Sequence, residues 1–391
     1  MRSMIKGTSQ VGRRPMKKPF YQLPQWHDLI RQFTPNWFTV CMGTGIVSMV
    51  LAELQGLHAW FWQLGVGLWQ LNLILFVLFS TLYGLRWVLY PQEARQIFQH
   101  PSMSLFLGTI PMALATLING SLKFGLVLYG TALVGIAEWL WYIDVGLALL
   151  VAFVVPFCMF SCQRHQLQNM TAIWLLPIVA CEVAAASGAV LLAHLPASPH
   201  AVNILFGSYL LWGVSVFPAV LILGILFLRL ALHQLPSQEL AMTGWLAVGP
   251  IGTGALALLL LGQQAPHVLQ ALHFSGLGEF LHQAGLVGSL LLVGFGMWWL
   301  GMAMLMTLKH VGAQLSFNLG WWGMTFPLGV FCLATLQLAQ QLQLNGLQNI
   351  GYGLATLLLL LWGLVMSKTV AGFYAGRLFF SPCLNLYLQQ K

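Results

Sequence analysis

The sequence predicts an all-α polytopic membrane protein with ten transmembrane helices, arranged as five helical hairpins in quasi-five-fold order around a central pore. Three observations predict it. Of 391 residues, 59% are hydrophobic and 6% charged, and the mean hydropathy is +0.81; charged residues average about a quarter of a soluble protein. Ten apolar runs each approach the ~20 residues needed to cross hydrocarbon. Basic residues and prolines, finally, recur along the chain with a consistent side and spacing.

The runs fall at about 34–54, 66–89, 102–122, 138–161, 172–193, 204–229, 242–262, 284–308, 316–338 and 348–368. Residues 124–137, rich in Gly and Ala, are ambiguous: they extend the third or fourth run, lie at the interface, or form an eleventh crossing. Charge asymmetry decides the count, because cytoplasmic loops carry the excess of Lys and Arg. With ten spans and both ends inside, every one of the 16 Lys and Arg residues except Lys123 falls on the inner side. An eleventh span would destroy that bias. The expected organisation is a basic cytoplasmic tail (1–32), a ten-helix transmembrane domain (33–369) and a cytoplasmic C-terminal tail (370–391), in the plasma membrane of the cell. Trp60, Trp62, Trp139, Trp141 and Tyr142 fall near outer ends, and Trp87, Tyr90 and Tyr374 near inner ones, as interfacial belts do.

The formal charge of +8 is concentrated in the tail, at Arg2, Lys6, Arg13, Arg14, Lys17, Lys18 and Arg31. Beside a membrane such a cluster is a topology signal, not a nucleic-acid patch. The tail has no apolar core of its own and does not read as a cleaved signal peptide; Met16, before Lys17 and Lys18, is an alternative start. Six cysteines form no pattern and read as buried thiols. His194 with His200, and His267 with His273, have loop spacing without accompanying carboxylates, so no metal and no cofactor is expected.

The odd-numbered runs share a second regularity. Each holds a proline (Pro35, Pro111, Pro177, Pro250 and Pro327), 66 to 77 residues from the next. Small or hydroxyl residues follow each: Gly43, Thr44, Gly45 and Ser48; Ala113, Ala115 and Thr116; Ala184 to Gly188, with Ser187; Gly252, Thr253 and Gly254; Gly329 and Thr335. Such side-chain-poor faces either line a hole, where irregular backbone is tolerated at membrane depth, or merely let helices pack tightly. Recurrence in five hairpins favours five inner helices around an axis and five outer ones as a jacket. In the ninth run, F-N-L-G-W-W-G-M-T-F-P-L-G-V-F (317–331), Phe326 precedes Pro327, and Gly323 and Gly329 share its helical face. A helix through Pro327 is expected to kink. Phe326 either packs against lipid or a neighbour, or has room to turn as a gate.

At Phe317–Phe331 the sequence resembles the tellurite-resistance/dicarboxylate transporter family, which includes the plant slow-anion channels; within it the likeness points to the fungal sulfite efflux pumps. Further shared stretches are F-T-P-N-W-F-T-V-C-M-G-T-G (33–45), S-L-F-L-G-T-I-P-M (104–112), W-Y-I-D-V (141–145), T-A-I-W-L-L-P-I-V (171–179) and R-L-F-F-S-P-C-L (377–384). The resemblance implies a pore built from the odd helices, a homotrimer with one pore per subunit, and Phe326 as the ring that occludes each pore.

No Arg or Lys lies centrally in any span, which disfavours a bidentate dicarboxylate clamp. Hydroxyls, amides and helix ends can hold a small anion instead. Thr44, Thr116, Ser187 and Thr253 are the candidate donors, unless they bond back to their own helices. With Gly43, Gly45, Gly323 and the prolines from Pro111 onward, they are the expected pore lining. Carboxylates are costly in hydrocarbon. Glu182, five residues after Pro177, is therefore a candidate for coupling anions to protons, or a structural hydrogen-bonding group. Asp144 reads as a structural or interface residue, and Glu138 as lying near the outer boundary. Neither an enzymatic constellation nor a nucleotide site is present in the sequence. The expected activity is export of sulfite or bisulfite through the bilayer, with C4-dicarboxylates such as malate, or nitrate and chloride, as alternatives.

Overall fold

The computed structural model describes residues 18–23, 25–270, 275–310 and 316–389. The tail residues Arg2 to Lys17 lie outside the described residues, as do His273 and Lys391. Among the described residues ten helices are long and apolar enough to cross a membrane: α1 (Pro35–Gly56), α2 (Trp60–Leu89), α3 (Ser104–Tyr129), α4 (Leu133–Ser161), α5 (Ala172–Leu192), α6 (Pro199–His233), α7 (Leu240–Leu269), α8 (Gly276–His310), α9 (Leu319–Leu342) and α10 (Asn345–Ala375). Residues 124–137 divide between two neighbours. α3 continues through a π-helical turn, Ser121–Gly125, to Tyr129; Gly130 turns the chain at φ +87° and α4 begins at Leu133. A second glycine at positive φ, Gly376 at +82°, ends α10 in the left-handed conformation that glycine adopts without penalty.

The helices form two layers. In their most apolar windows the odd helices are 83–94% buried and the even ones 22–33%. Phe160, Leu210 and Leu291 on the even helices are largely exposed, as side chains facing lipid must be. The odd helices contact one another in closed cyclic order, α1 with α3, α3 with α5, α5 with α7, α7 with α9 and α9 with α1. Each even helix lies on the groove between two of them: α2 on α1 and α3, α4 on α3 and α5, α6 on α5 and α7, α8 on α7 and α9, α10 on α9 and α1.

The kink expected at Pro327 takes another form. Every inner helix opens with a 3₁₀ segment: Pro35–Trp37, Ser104–Gly108, Ala172–Leu175, Gln238–Ala247 and Leu319–Met324. Pro111, Pro177, Pro250 and Pro327 sit in the first turn of the α-helix that follows, and Pro35 opens its own 3₁₀ segment. Proline lacks an N–H, and near a helix start that donor has little or no helical partner to lose. The helix therefore changes from 3₁₀ to α type just before Pro111, Pro177, Pro250 and Pro327.

Glycine sets how closely the ring closes. A Cβ on Gly252 of α7 would lie 2.8 Å from the backbone N and Cα of Phe331 on α9. The segments around Phe20–Trp37 and Phe373–Ser381 meet at one end of the bundle, called here the terminal side. There Arg86, buried, donates to the Phe33 carbonyl at 2.5 Å and to Ser381 Oγ at 3.1 Å. The Ser381 amide donates to Gln32 Oε1, and Trp37 stacks on Phe379. The C-terminal segment is thus clasped to the helical body.

Gly252→Ala is expected to lower the melting temperature in detergent, at a cost of about 1–3 kcal/mol for a forced backbone shift. Gly224→Ala on α6, whose Cβ would meet nothing within 4 Å, should leave it unchanged.

Candidate functional site

Two cavities lie along the axis of the inner helices, and each is lined by all five. The terminal-side cavity, about 30 Å³, is bounded by Thr39 and Met42 of α1, Phe106 and Met112 of α3, Leu176 and Val179 of α5, Gly249 and Pro250 of α7, and Gly323, Phe326 and Pro327 of α9. The far-side cavity, about 150 Å³, is bounded by Ile46, Met49 and Glu53; Thr116, Asn119 and Lys123; Val183, Ala186 and Val190; Thr253, Leu256 and Leu260; and Phe326, Val330, Leu333 and Gln337. Among the described residues the two linings share one, Phe326, which is 4% exposed.

Beyond the smaller cavity, a vestibule of about 420 Å³ opens on the terminal side. It shares Phe106, Ile173, Thr243, Leu319 and Gly320 with that cavity, and its lining holds one charged residue, Arg377. The terminal-side cavity has no charged lining residue; the far-side one has Glu53 and Lys123. Among the described lining residues, then, a cation stands at each end of the axis with a neutral, mostly apolar stretch between. At the far end that cation is paired with Glu53, at 2.9 Å, so the two ends differ in net charge.

The far-side lining repeats every three or four residues on each helix, as one face of an α-helix does. That phase sorts the sequence candidates. Thr116 and Thr253 are on it, and Gly323, Pro250 and Pro327 line the terminal-side cavity. Thr116 Oγ1 donates to the Ala113 carbonyl at 2.7 Å and accepts from Asn72 Nδ2 at 3.0 Å, whereas Thr253 Oγ1 is buried without a partner. Gly43, Thr44, Gly45, Pro111, Pro177 and Ser187 line neither cavity, and four of them meet neighbouring helices instead. Thr44 accepts from Trp362 Nε1 of α10 at 3.3 Å. Gly43 faces Trp322 and Thr325 of α9, Gly45 faces Thr116 and Asn72, and Pro177 lies against Gly108. Pro111 and Ser187 are simply buried, Ser187 Oγ without a partner. The glycines beside Phe326 are occupied too: Gly323 by Leu246 and Gly329 by Ile46.

Glu182 follows Ala184 and Ser187 off the axis. It is fully buried near Gly254 of α7, with no hydrogen-bond partner on either oxygen, and Asp144 of α4 is likewise buried and unpartnered. Glu138 pairs with His200 at 2.5 Å. Among the described residues no group of three or more His, Cys, Asp or Glu is placed to hold a metal ion.

Five mutually contacting buried helices, two cavities bordered by all five and an outer layer of lipid-facing helices define a polytopic membrane protein. Residues 32–370 match the family described as voltage-dependent anion channel, and the chain belongs to that family. It is 36% identical to a sulfite efflux pump of Arthroderma otae over 347 residues, 87% of this chain and 91% of the relative. It is 28% identical to an uncharacterized transporter of Methanocaldococcus jannaschii, covering 90% and 96%. It is 22% identical to a malic acid transport protein of Schizosaccharomyces pombe, covering 93% and 85%. The chain is an anion transporter of this family; the family and these relatives are transporters or channels, not enzymes.

Thr253→Val removes the unpartnered hydroxyl of the far-side cavity while keeping its shape. It should raise the half-saturating anion concentration in liposome flux assays about two- to tenfold, the worth of one hydrogen bond.

Proposed function

We propose that this chain exports sulfite or bisulfite across the cell membrane along the axis of the inner helices, with Phe326 as the gate. The carrying observation is that Phe326 alone bounds both axial cavities. The five hairpins are then a quasi-five-fold pore, closed by the ring and opened when it turns. Relatives named as sulfite efflux pumps, 36% identical over most of the chain, support the substrate. So does the lack of an arginine in either cavity lining, since a C4-dicarboxylate is usually clamped by bidentate guanidinium. Similarity to a malic acid transport protein makes malate the second reading. The positive-inside bias supports cytoplasmic termini, and the family resemblance supports a homotrimer with one pore per subunit.

Cells expressing the chain should survive added sulfite without gaining growth on malate; the reverse result would transfer the proposal to dicarboxylates, and a liposome panel including nitrate and chloride extends the comparison. Phe326→Ala should raise sulfite flux about tenfold, equivalent to about 1.4 kcal/mol off the barrier. Flux at the wild-type level from a correctly assembled variant removes Phe326 as the gate.

Glu182 is the group proposed to couple anion movement to protons, acting from the α5–α7 contact, since it borders neither cavity. In Glu182→Gln, sulfite flux should lose its dependence on an imposed pH gradient while persisting under an anion gradient. Unchanged proton dependence leaves Glu182 a structural residue.

A further inference from the structure

Three polar side chains from three adjacent inner helices meet at the outer end of the far-side cavity. Lys123 Nζ of α3 donates to Glu53 Oε1 of α1 at 2.9 Å, and Gln337 Nε2 of α9 donates to Glu53 Oε2 at 3.0 Å. Both oxygens of one carboxylate are thereby held, one by an ammonium and one by an amide. All three residues line the cavity, and the Lys123 and Glu53 side chains keep 33% and 17% of their exposure. Lys123 is carried by the π-helical turn Ser121–Gly125, a rare device that accompanies functional positions.

The chemistry that holds Glu53 is the chemistry that would hold a small oxyanion: one full positive charge and one N–H donor converging from opposite sides. Lys123 is also the one cation lining either axial cavity. An ion pair exposed to this degree is weak and exchangeable, which suits a site that must release what it binds. We propose that Lys123 and Gln337 form an anion site at the far end of the axis, and that Glu53 fills it as a tethered substitute when no anion is there. Each anion leaving the far-side cavity displaces the Glu53 carboxylate, which then returns. The inference rests on the axial pathway proposed above, and its occupant is a small inorganic oxyanion.

The test is sulfite flux in proteoliposomes as a function of concentration, for the wild type, Glu53→Gln, Lys123→Gln, Gln337→Met and Phe326→Ala, with melting temperatures as a check on folding. Glu53→Gln removes the competitor and should lower the half-saturating sulfite concentration about two- to fivefold, the range spanned by a partly exposed ion pair. Lys123→Gln should raise it by a similar factor. Gln337→Met should also raise it, and because it leaves the ion pair in place it serves even if Lys123→Gln does not fold. A pair that merely braces α1 against α3 would shift the Glu53 and Lys123 variants in the same direction, or neither. That outcome, together with increased flux in Phe326→Ala, overturns the displacement and spares the pathway. Wild-type flux and concentration dependence in all four variants overturns the pathway and the displacement with it.

Discussion

In hydrocarbon no water is available to satisfy a backbone amide, so a chain can leave open space at membrane depth only where helices enclose it. That constraint governs this molecule. Five helices must come close enough to seal their flanks, yet keep their axis free of bulk. Close approach is met by removing side chains where the helices touch: Gly252 against the Phe331 backbone, Gly43 against Trp322 and Thr325. The spaces along the axis are bordered by Thr, Val, Ala and Gly together with Leu, Ile and Met, and Phe106 and Trp322 add aromatic bulk on the terminal side. The even helices then cover the grooves and present their large apolar side chains outward.

The prolines serve the same geometry. A 3₁₀ segment is narrower and longer per residue than an α-helix, so beginning each inner helix with one draws the chain out at the terminal side. Proline in the first α-helical turn marks the change without losing a ladder bond. Because four helices do this at similar positions and α1 does it with Pro35, the change of type recurs around the ring.

The ten spans were legible because hydropathy and charge bias act on whole spans, and the inner layer because prolines and small residues recur in every odd run. Phe326 stood out by composition, as an F-P pair in a glycine-rich run, and it borders both cavities. The phase of each helix was less legible. Thr44 and Ser187 attract attention by residue type, but on their helices the cavity-lining positions are Ile46, Met49 and Glu53, and Val183, Ala186 and Val190. A shift of one residue turns a side chain by about 100°, enough to take Ser187 off the axis that Ala186 faces. On spans buried all round, no polar stripe marks the phase, and only the packed neighbours reveal it. Lys123 carried a signal as the one basic residue on the expected outer side; its partners Glu53 and Gln337, distant in the chain, carried none.

The two axial spaces differ about fivefold in volume, 30 Å³ against 150 Å³, with Phe326 at their shared wall. The terminal-side space therefore admits fewer waters than the far-side one. On the pathway proposed here, an ion on the terminal side of Phe326 would keep less of its hydration than one on the far side. The costliest step of that proposed route would then lie toward the terminal mouth.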